Sequence, residues 1–390
     1  LEDQESVSKK TLYLKVNRVC QELIDSNELT RILKPQNYSG ILLIDGKYVP
    51  VKKVEGKEPG LIPRSKKRRG KTKKGLVVIP FLDYGTHDIP VFITAFSENS
   101  YEIEQGFQML KTIGYPLKAI VCDESMGQVA QVAKKVFPDV VVQLCLTHYT
   151  RAFERTFKVN GPRRSLAALE RKLAYLGESF FYSSRHYDQK RAVRLTNRIA
   201  ALESEYGYLL EIQEIFSNIF WKAKTIEEVE QLEDMLNVTI ASMRLQDYPH
   251  RKKIIDRYQD YYKKRDQVLA WLLHPELRLP YTTNLIEGFN STALEIRFSS
   301  VRGFEKEENA RHYINALILK RRFQRFKDCK EGFKFLNGKA PLQVAQPLED
   351  SIRFPARQWI RLCRKFKRNT PSVVIPGEQG WQDLDKQKES

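Results

Sequence analysis

The sequence predicts a mixed α/β protein: a five-stranded mixed sheet flanked by helices, interrupted by a large all-α insertion. Three observations predict it. Up to about Thr150 the apolar residues come in short runs of strand length, among them "GILLID", "GLVVIPFL", "IPVFITAF" and "DVVVQLCL". Between about Thr150 and His274 such runs vanish and apolar residues recur at helical spacing. Beyond His274 two more helical stretches follow, "YTTNLIEGFNSTALEIRFSS" and the basic "NARHYINALILKRRFQRF".

Taken in order, residues 1–37 read as a helical segment. Val7, Leu12, Leu14, Val16, Val19, Leu23 and Ile24 fall at roughly helical spacing, with Ser8 as N-cap and Lys9, Lys10, Lys15 and Arg18 interspersed. Two readings fit: the recognition helix that ends a helix-turn-helix, or an amphipathic helix packed on the core. Residues 38–150 carry the first part of the sheet. "GILLIDGKYVPV" is the first strand, "GLVVIPFLDYG" the second and "IPVFITAF" the third. A helix over "SYEIEQGFQMLKTIGY", a fourth strand in "LKAIVCDES", a helix over "GQVAQVAKKVF" and a fifth strand in "DVVVQLCLTH" complete it. Three strands joined by short loops, then strand–helix–strand, is the order of a ribonuclease H-like core. A doubly wound nucleotide-binding fold alternates strand and helix from the outset, and no glycine fingerprint follows the first strand here. Residues 151–275 form the helical insertion, 276–335 the returning core helices, and 336–390 a basic extension and tail, richer in Pro and Gly.

The bulk properties narrow the function. With 390 residues, 42% hydrophobic and 11% aromatic, the chain can bury sizeable cores in two or three structural units. No apolar run reaches the roughly 18 residues of a membrane span. The five cysteines, Cys20, Cys122, Cys145, Cys329 and Cys363, are scattered and suggest no disulfide framework, which fits a reducing intracellular compartment. The first residues are polar, without a signal-peptide apolar region or an initiator methionine, and so read as a fragment or a processed chain.

A net charge of +18, from 66 basic and 48 acidic residues, points to a polyanionic partner, nucleic acid first. Arg64 to Lys74 holds eight basic residues and no acid, including Lys66, Lys67, Arg68, Arg69, Lys71, Lys73 and Lys74. Leu319 to Lys327 interleaves Lys320, Arg321, Arg322 and Arg325 with Phe323 and Phe326, and Arg361 to Arg368 repeats the idea. Arg297 and Arg302 add charge beyond "LIEGFN". A single run of this kind is equally a solvated face or a localisation tag. Three in one chain favour a phosphate-binding surface, since each neutralised phosphate releases counterions.

The acids fall into a pattern of their own. Asp45 ends "ILLID" and Asp123 ends "AIVCD", each after an apolar strand and before a loop, where α/β folds place ligand-binding groups. In a ribonuclease H-like sheet the first and fourth strands are neighbours, so the two aspartates would face one another and require a cation between them. Oxygen ligands favour Mg²⁺ or Mn²⁺. A third carboxylate, Glu287 at a helix start, would complete a site for two ions about 3.5–4 Å apart. Glu287 also has a plain structural reading: Asn284 as N-cap with a glutamate three residues on resembles a capping box. Asp83 reads as a turn residue, Glu124 as a loop residue, and Glu295 as part of a solvated face. Trp221 and Trp271 read as core of the insertion, with base stacking as the alternative.

Together "LLIDG", "VCDES", "QLCLTH" and "TTNLIEGFN…RG" resemble the mutator-like DDE transposases, including their bacterial insertion-sequence relatives. The resemblance spans about Ile41 to Phe326. It implies that Asp45, Asp123 and Glu287 are catalytic and hold two Mg²⁺ or Mn²⁺ ions, with the helical insertion lying between the second and third acids. Cys145 and His148 match the family's Cys-x-x-His signature. Two ligands alone do not make a structural zinc site. His148 reads as support for the active site or as packing, and Cys145 as a buried small residue. The implied activity is cleavage and strand transfer at transposon ends. The implied partners are double-stranded DNA, as terminal inverted repeats and target, and further copies of the chain in a dimer or larger assembly. No membrane is implied. The implied location is cytoplasmic on the nucleoid in a bacterium, or nuclear in a eukaryote. Two alternatives remain: a nuclease or junction resolvase that cuts without joining, and a domesticated DNA-binding protein without turnover. The absence of an upstream DNA-binding region and the very basic loop between the first two strands depart from the family pattern.

Overall fold

A computed structural model describes residues 9–53, 75–123, 127–183, 189–244, 248–301, 304–346 and 359–369. The chain divides into two compact units. Leu1–Leu117, Gln131–Pro138 and Leu285–Ser390 form the first, and Lys118–Ala130 and Asp139–Asn284 the second. The protein is of mixed α/β class.

In the first unit the central strand is β3 (Gly75–Asp83), buried at all nine positions as a strand covered on both faces must be. On one side it pairs antiparallel with β4 (Val91–Ala95). On the other lie β1 (Ile41–Ile44) and β2 (Lys47–Lys53), both antiparallel to β3. The expected first strand is thus two segments of one ladder. Leu42 faces Asp83 and Lys47 faces Val78, so the register does not slip, yet the pairing opens at Asp45 and Gly46. That register sets Pro80 opposite Asp45, and proline has no N–H to give the ladder. A short strand absent from the sequence reading, β7 (Phe304–Lys306), runs parallel to β2.

Helices α1 (Lys9–Gln21) and α2 (Ser26–Leu33) open the described chain. Asp25 caps α2 by accepting from the N–H groups of Asn27 and Glu28. Cys20, Leu23, Ile24 and Leu29 share a core cluster with Ala316, Leu319 and Phe323 of α13 (Glu307–Phe323), with Leu342 of α14 (Pro341–Ala345), and with Cys363 of α15 (Trp359–Asn369). The N-terminal segment therefore packs on the core, while Leu12 and Leu14 stay exposed. Ser8 lies outside the described residues. Helix α3 (Ser100–Thr112) is capped by Asn99 and lies close to the sheet. A Cβ on its Gly106 would stand 2.5 Å from the Phe81 ring, so glycine permits the approach. Asp83 is fully buried and accepts from Ser39, Thr86 and the Tyr115 hydroxyl, the turn role expected of it.

The second unit contains the parallel pair β5 (Ala119–Cys122) and β6 (Val141–Leu144), with Ala119 opposite Val141 and Cys122 opposite Leu144. Between them in sequence comes α4 (Gly127–Val136), whose residues from Gln131 onward belong to the first unit. Helices α5 (Leu146–Phe157), α6 (Asn160–Ser183), α7 (Gln189–Trp221), α8 (Ile226–Arg244), α9 (Arg251–Val268) and the single turn α10 (Ala270–Leu273) follow. Their amphipathic faces meet in an aromatic core of Tyr149, Phe153, Phe216, Phe220 and Tyr261, with Phe153 and Phe216 centroids 4.5 Å apart. The buried Glu233 accepts from Tyr261 and from both arms of Arg265. Among the described residues no helix is long and apolar enough to cross a membrane.

Candidate functional site

Asp45 and Glu287 belong to the first unit, and Asp123, Cys145 and His148 to the second. Asp45 stands where the ladder opens, directly after the four buried residues of β1. Its carboxylate accepts a 2.8 Å hydrogen bond from the side-chain amide of Asn290. The next residue, Gly46, is approached so closely by the Glu98 carboxylate that a Cβ there would meet Glu98 Oε1 at 2.0 Å.

Glu287 lies in the first turn of α11 (Asn284–Phe289), which continues through a π-helical turn, Asn290–Glu295, into α12 (Ile296–Val301). The helix begins at Asn284 itself, so the cap position falls on Thr283 rather than on the expected Asn284. Ser291 and Thr292 both donate their hydroxyls to the Gly288 carbonyl, a local competition with the α-helical ladder that suits a wider turn. Three residues apart, Glu287 and Asn290 share a helix face. Glu295 would leave that face in a regular helix; the wide turn takes up the extra residue and returns it. Glu295 then pairs at 2.8 Å with Lys47 of β2, where the sequence reading had only a solvated acid. The helix that carries Glu287 is thus bonded to the strand end at Asp45 and again to Lys47, the first residue of β2. Asn290 is 3% exposed and its side-chain carbonyl has no hydrogen-bond partner among the described residues.

In the second unit Asp123 and Cys145 follow the last paired residues of two adjacent parallel strands, at their carboxyl ends. The Cys145 N–H donates to the Cys122 carbonyl at 2.8 Å. Cys145 is fully buried at the start of α5, and its sulfur accepts from the Thr283 hydroxyl at 3.2 Å and the Thr283 N–H at 3.4 Å. Next along the chain, the Leu146 N–H bonds the Tyr281 carbonyl. Burial alone would raise the Cys145 thiol, but hydrogen bonds from His148 and Thr283 outweigh it and hold the thiol below its ordinary value. For Cys122, burial first and then Asp123 and Cys145 push the thiol up to about 12. The Cys-x-x-His signature therefore joins "QLCLTH" to the "TTN" segment, and the thiol acts as an acceptor inside a packed joint.

The expected phosphate-binding residues divide four ways. Lys66, Lys67, Arg68, Arg69, Lys71, Lys73, Lys74 and Arg302 lie outside the described residues. Arg297, Lys320 and Arg325 are exposed. Lys320 and Arg297 flank, with Lys15 of α1, an open groove of about 380 Å³ floored by Val19, Leu23 and Tyr313. Arg321 is half-buried, its guanidinium 4.8 Å from the Phe326 ring centre, and burial lowers its pKa. Arg322 corrects the sequence reading outright. It is 0% exposed, gives two bonds to Asp88, and gives three more to Ser26 and Thr30. The reason is helical phase. Ile314, Ile318, Leu319, Arg322 and Phe323 form the buried stripe of α13, and a count of consecutive cations ignores which of them turns inward.

Sequence reasoning passed over Asn290 and Thr283, although both stand in the quoted "TTNLIEGFN"; the spacing of Asn290, one turn after the acid, was the available signal. Comparison with known proteins adds no relative: no protein-family model matches the chain, and no curated protein matches it.

Proposed function

We propose that this chain is a DNA transposase of the mutator-like DDE kind, built on a ribonuclease H-like core, that cleaves DNA at element ends and joins it to a target. The observation that carries the reading is the Asn290–Asp45 bond. It ties a strand-end aspartate to the helix bearing Glu287, as a shared carboxylate site needs. The motif resemblance and the net charge of +18 supply the rest.

The three carboxylates that the resemblance implies are hard oxygen donors and would suit a divalent cation such as Mg²⁺ or Mn²⁺. Asp45, Asp123 and Glu287 are the residues that would hold two such ions, whose chemistry when bound is to activate the attacking hydroxyl and stabilise the leaving oxygen. Asn290 donates to one oxygen of Asp45 and so fixes the rotation of that carboxylate. Glu295 and Lys47 hold the helix at a second point. Lys15, Arg297 and Lys320 offer cations from three elements to a phosphate backbone, and Arg325 is a further exposed cation.

The test is cleavage and joining, with Mg²⁺ or Mn²⁺, of duplexes carrying the inverted repeats that bracket the coding segment. Asp45→Asn, Asp123→Asn and Glu287→Gln each abolish both steps. If all three retain metal-dependent cleavage, the triad is wrong. Cutting without joining of pre-cut ends assigns a nuclease or resolvase instead, and tight binding with no cleavage assigns a non-catalytic DNA-binding protein.

A further inference from the structure

We propose that an aromatic, basic cleft in the second unit holds one unstacked base of a DNA strand, with the adjoining phosphodiester on Lys224 and Arg278. The cleft is open and encloses about 600 Å³, within the range of small-ligand sites. Trp271 and Tyr281 line it, their ring centroids 5.5 Å apart and tilted by 54°, above Leu272 and Leu279. Trp221 stands edge-on to Tyr281 at 5.9 Å. The sequence reading placed both tryptophans in the core, but Trp221 is 43% exposed, Tyr281 is 46% exposed, and Trp271 is half-buried. Three clustered rings left at the surface are a recognition feature, because a fold gains more by burying them.

The cleft is also rigid. Gln143 of β6, wholly buried, accepts from the Trp271 N–H at 2.8 Å and donates to the Val268 carbonyl at 3.0 Å, so the strand fixes the turn that presents Trp271. The Tyr281 carbonyl is fixed by the Leu146 N–H at 2.9 Å. Arg278 closes the 3-10 turn Pro275–Leu277 as a left-handed cap at φ 50°, its N–H bonded to the Pro275 carbonyl, which fixes its backbone. A ring platform held this way stacks a base with little ordering cost.

Charge selects the ligand class. Lys224 and Arg278 line the cleft with one acid, Glu227, whose carboxylate is engaged at the start of α8 with its own N–H and Thr225, while the neighbouring Glu228 accepts from the Lys224 backbone N–H at 2.7 Å. With both acids held by groups at the start of α8, the two cations are the groups left to meet a phosphodiester, and they disfavour a cationic ligand in an aromatic cage. A base within a strand meets both demands. The proposal takes its ligand from the reading of the chain as a DNA-processing enzyme, but its test does not depend on turnover.

The experiment uses the full chain and a DNA duplex with a short 3′ overhang carrying 2-aminopurine at the first unpaired position. Its comparisons are the same duplex made blunt, the same overhang in RNA, and 2-aminopurine riboside monophosphate alone. The overhang DNA binds roughly 5- to 150-fold more tightly than the blunt duplex, the range expected for one stacked base, and the probe's fluorescence is quenched. Tyr281→Ala removes preference and quenching with an unchanged melting temperature, Tyr281→Phe keeps both, and Lys224→Ala weakens the overhang complex. The proposal is overturned if Tyr281→Ala leaves preference and quenching intact, or if blunt and overhang DNA bind alike or not at all. It is equally overturned if the free nucleotide or the RNA overhang binds as well as the DNA overhang. Preference and quenching without any metal-dependent cleavage would uphold the cleft and remove the transposase.

Discussion

Replacing Arg322 with methionine tests whether the basic run of α13 is surface or core. The guanidinium makes five hydrogen bonds of 2.8–3.0 Å, two to Asp88 and three to Ser26 and Thr30, and both ion-pair partners are 0% exposed. Methionine fills much of the volume but leaves Asp88 buried with only neutral partners, such as the Tyr38 hydroxyl at 3.0 Å. Removing one member of a buried pair costs about 3–5 kcal/mol. For a domain of this size that is roughly 6–20 °C of melting temperature. Circular dichroism melts of the full chain give the shift. The double variant Arg322→Met with Asp88→Leu recovers most of it, because the penalty is an unpaired charge and not a lost attraction. If Arg322→Met melts within about 2 °C of the parent while weakening DNA binding, the buried ion pair is refuted and the arginine belongs to the surface.

The exposed neighbours behave oppositely. Lys320→Ala with Arg325→Ala leaves the melting temperature in place and lowers the slope of log K against log salt by roughly 1.8, two phosphate contacts' worth. His87, buried among Phe326 and Phe333, is held neutral down to about pH 4 by burial and then by Arg321. The unfolded chain takes up that proton first, so stability is full above about pH 6.5 and falls by up to about 3 kcal/mol as pH drops from there toward 4. His87→Asn, which tolerates the left-handed backbone at φ 57°, flattens the urea midpoint across that window. Cys145→Ala strands the buried Thr283 donors and costs about 1–3 kcal/mol in urea melts, whereas Cys145→Ser keeps most of the stability. Asn290→Ala lowers metal-dependent cleavage by roughly 10- to 150-fold with little change in DNA affinity, the loss of one charge-assisted bond at Asp45.

Much of the fold was legible because its signals are local. The nine buried residues of β3 read as a strand from composition alone, and the helices of the second unit from their periodicity. What escaped was set by partners far along the chain. The break at Asp45 depends on the residue opposite it in β3, and β7 is only three residues long. Arg322 looked like its neighbours in sequence, and only the phase of α13 against α2 separates it from Lys320. Trp221 and Trp271 carried the composition of a core and came to lie partly at the surface.

The candidate site shows the same division at finer scale. The sequence offers Glu287 as a helix-start acid, and in isolation a first-turn glutamate is explained by the helix dipole alone. The dipole, however, gives no reason for what surrounds it. A regular helix would satisfy the dipole equally well, yet here the turn after Glu287 widens, the Gly288 carbonyl is bonded by two hydroxyls, and a nearly buried asparagine is directed at a strand-end carboxylate. A π turn costs backbone regularity and persists where a side chain must be presented on a particular face. In this helix the gain is that Asn290 reaches the break at Asp45 while Glu295 reaches Lys47, the first residue of β2 beyond it. The helix dipole therefore accounts for the position of Glu287, and the irregularity that follows it accounts for the contact with Asp45. A protein needing only a stable helix end would have kept the first and had no use for the second.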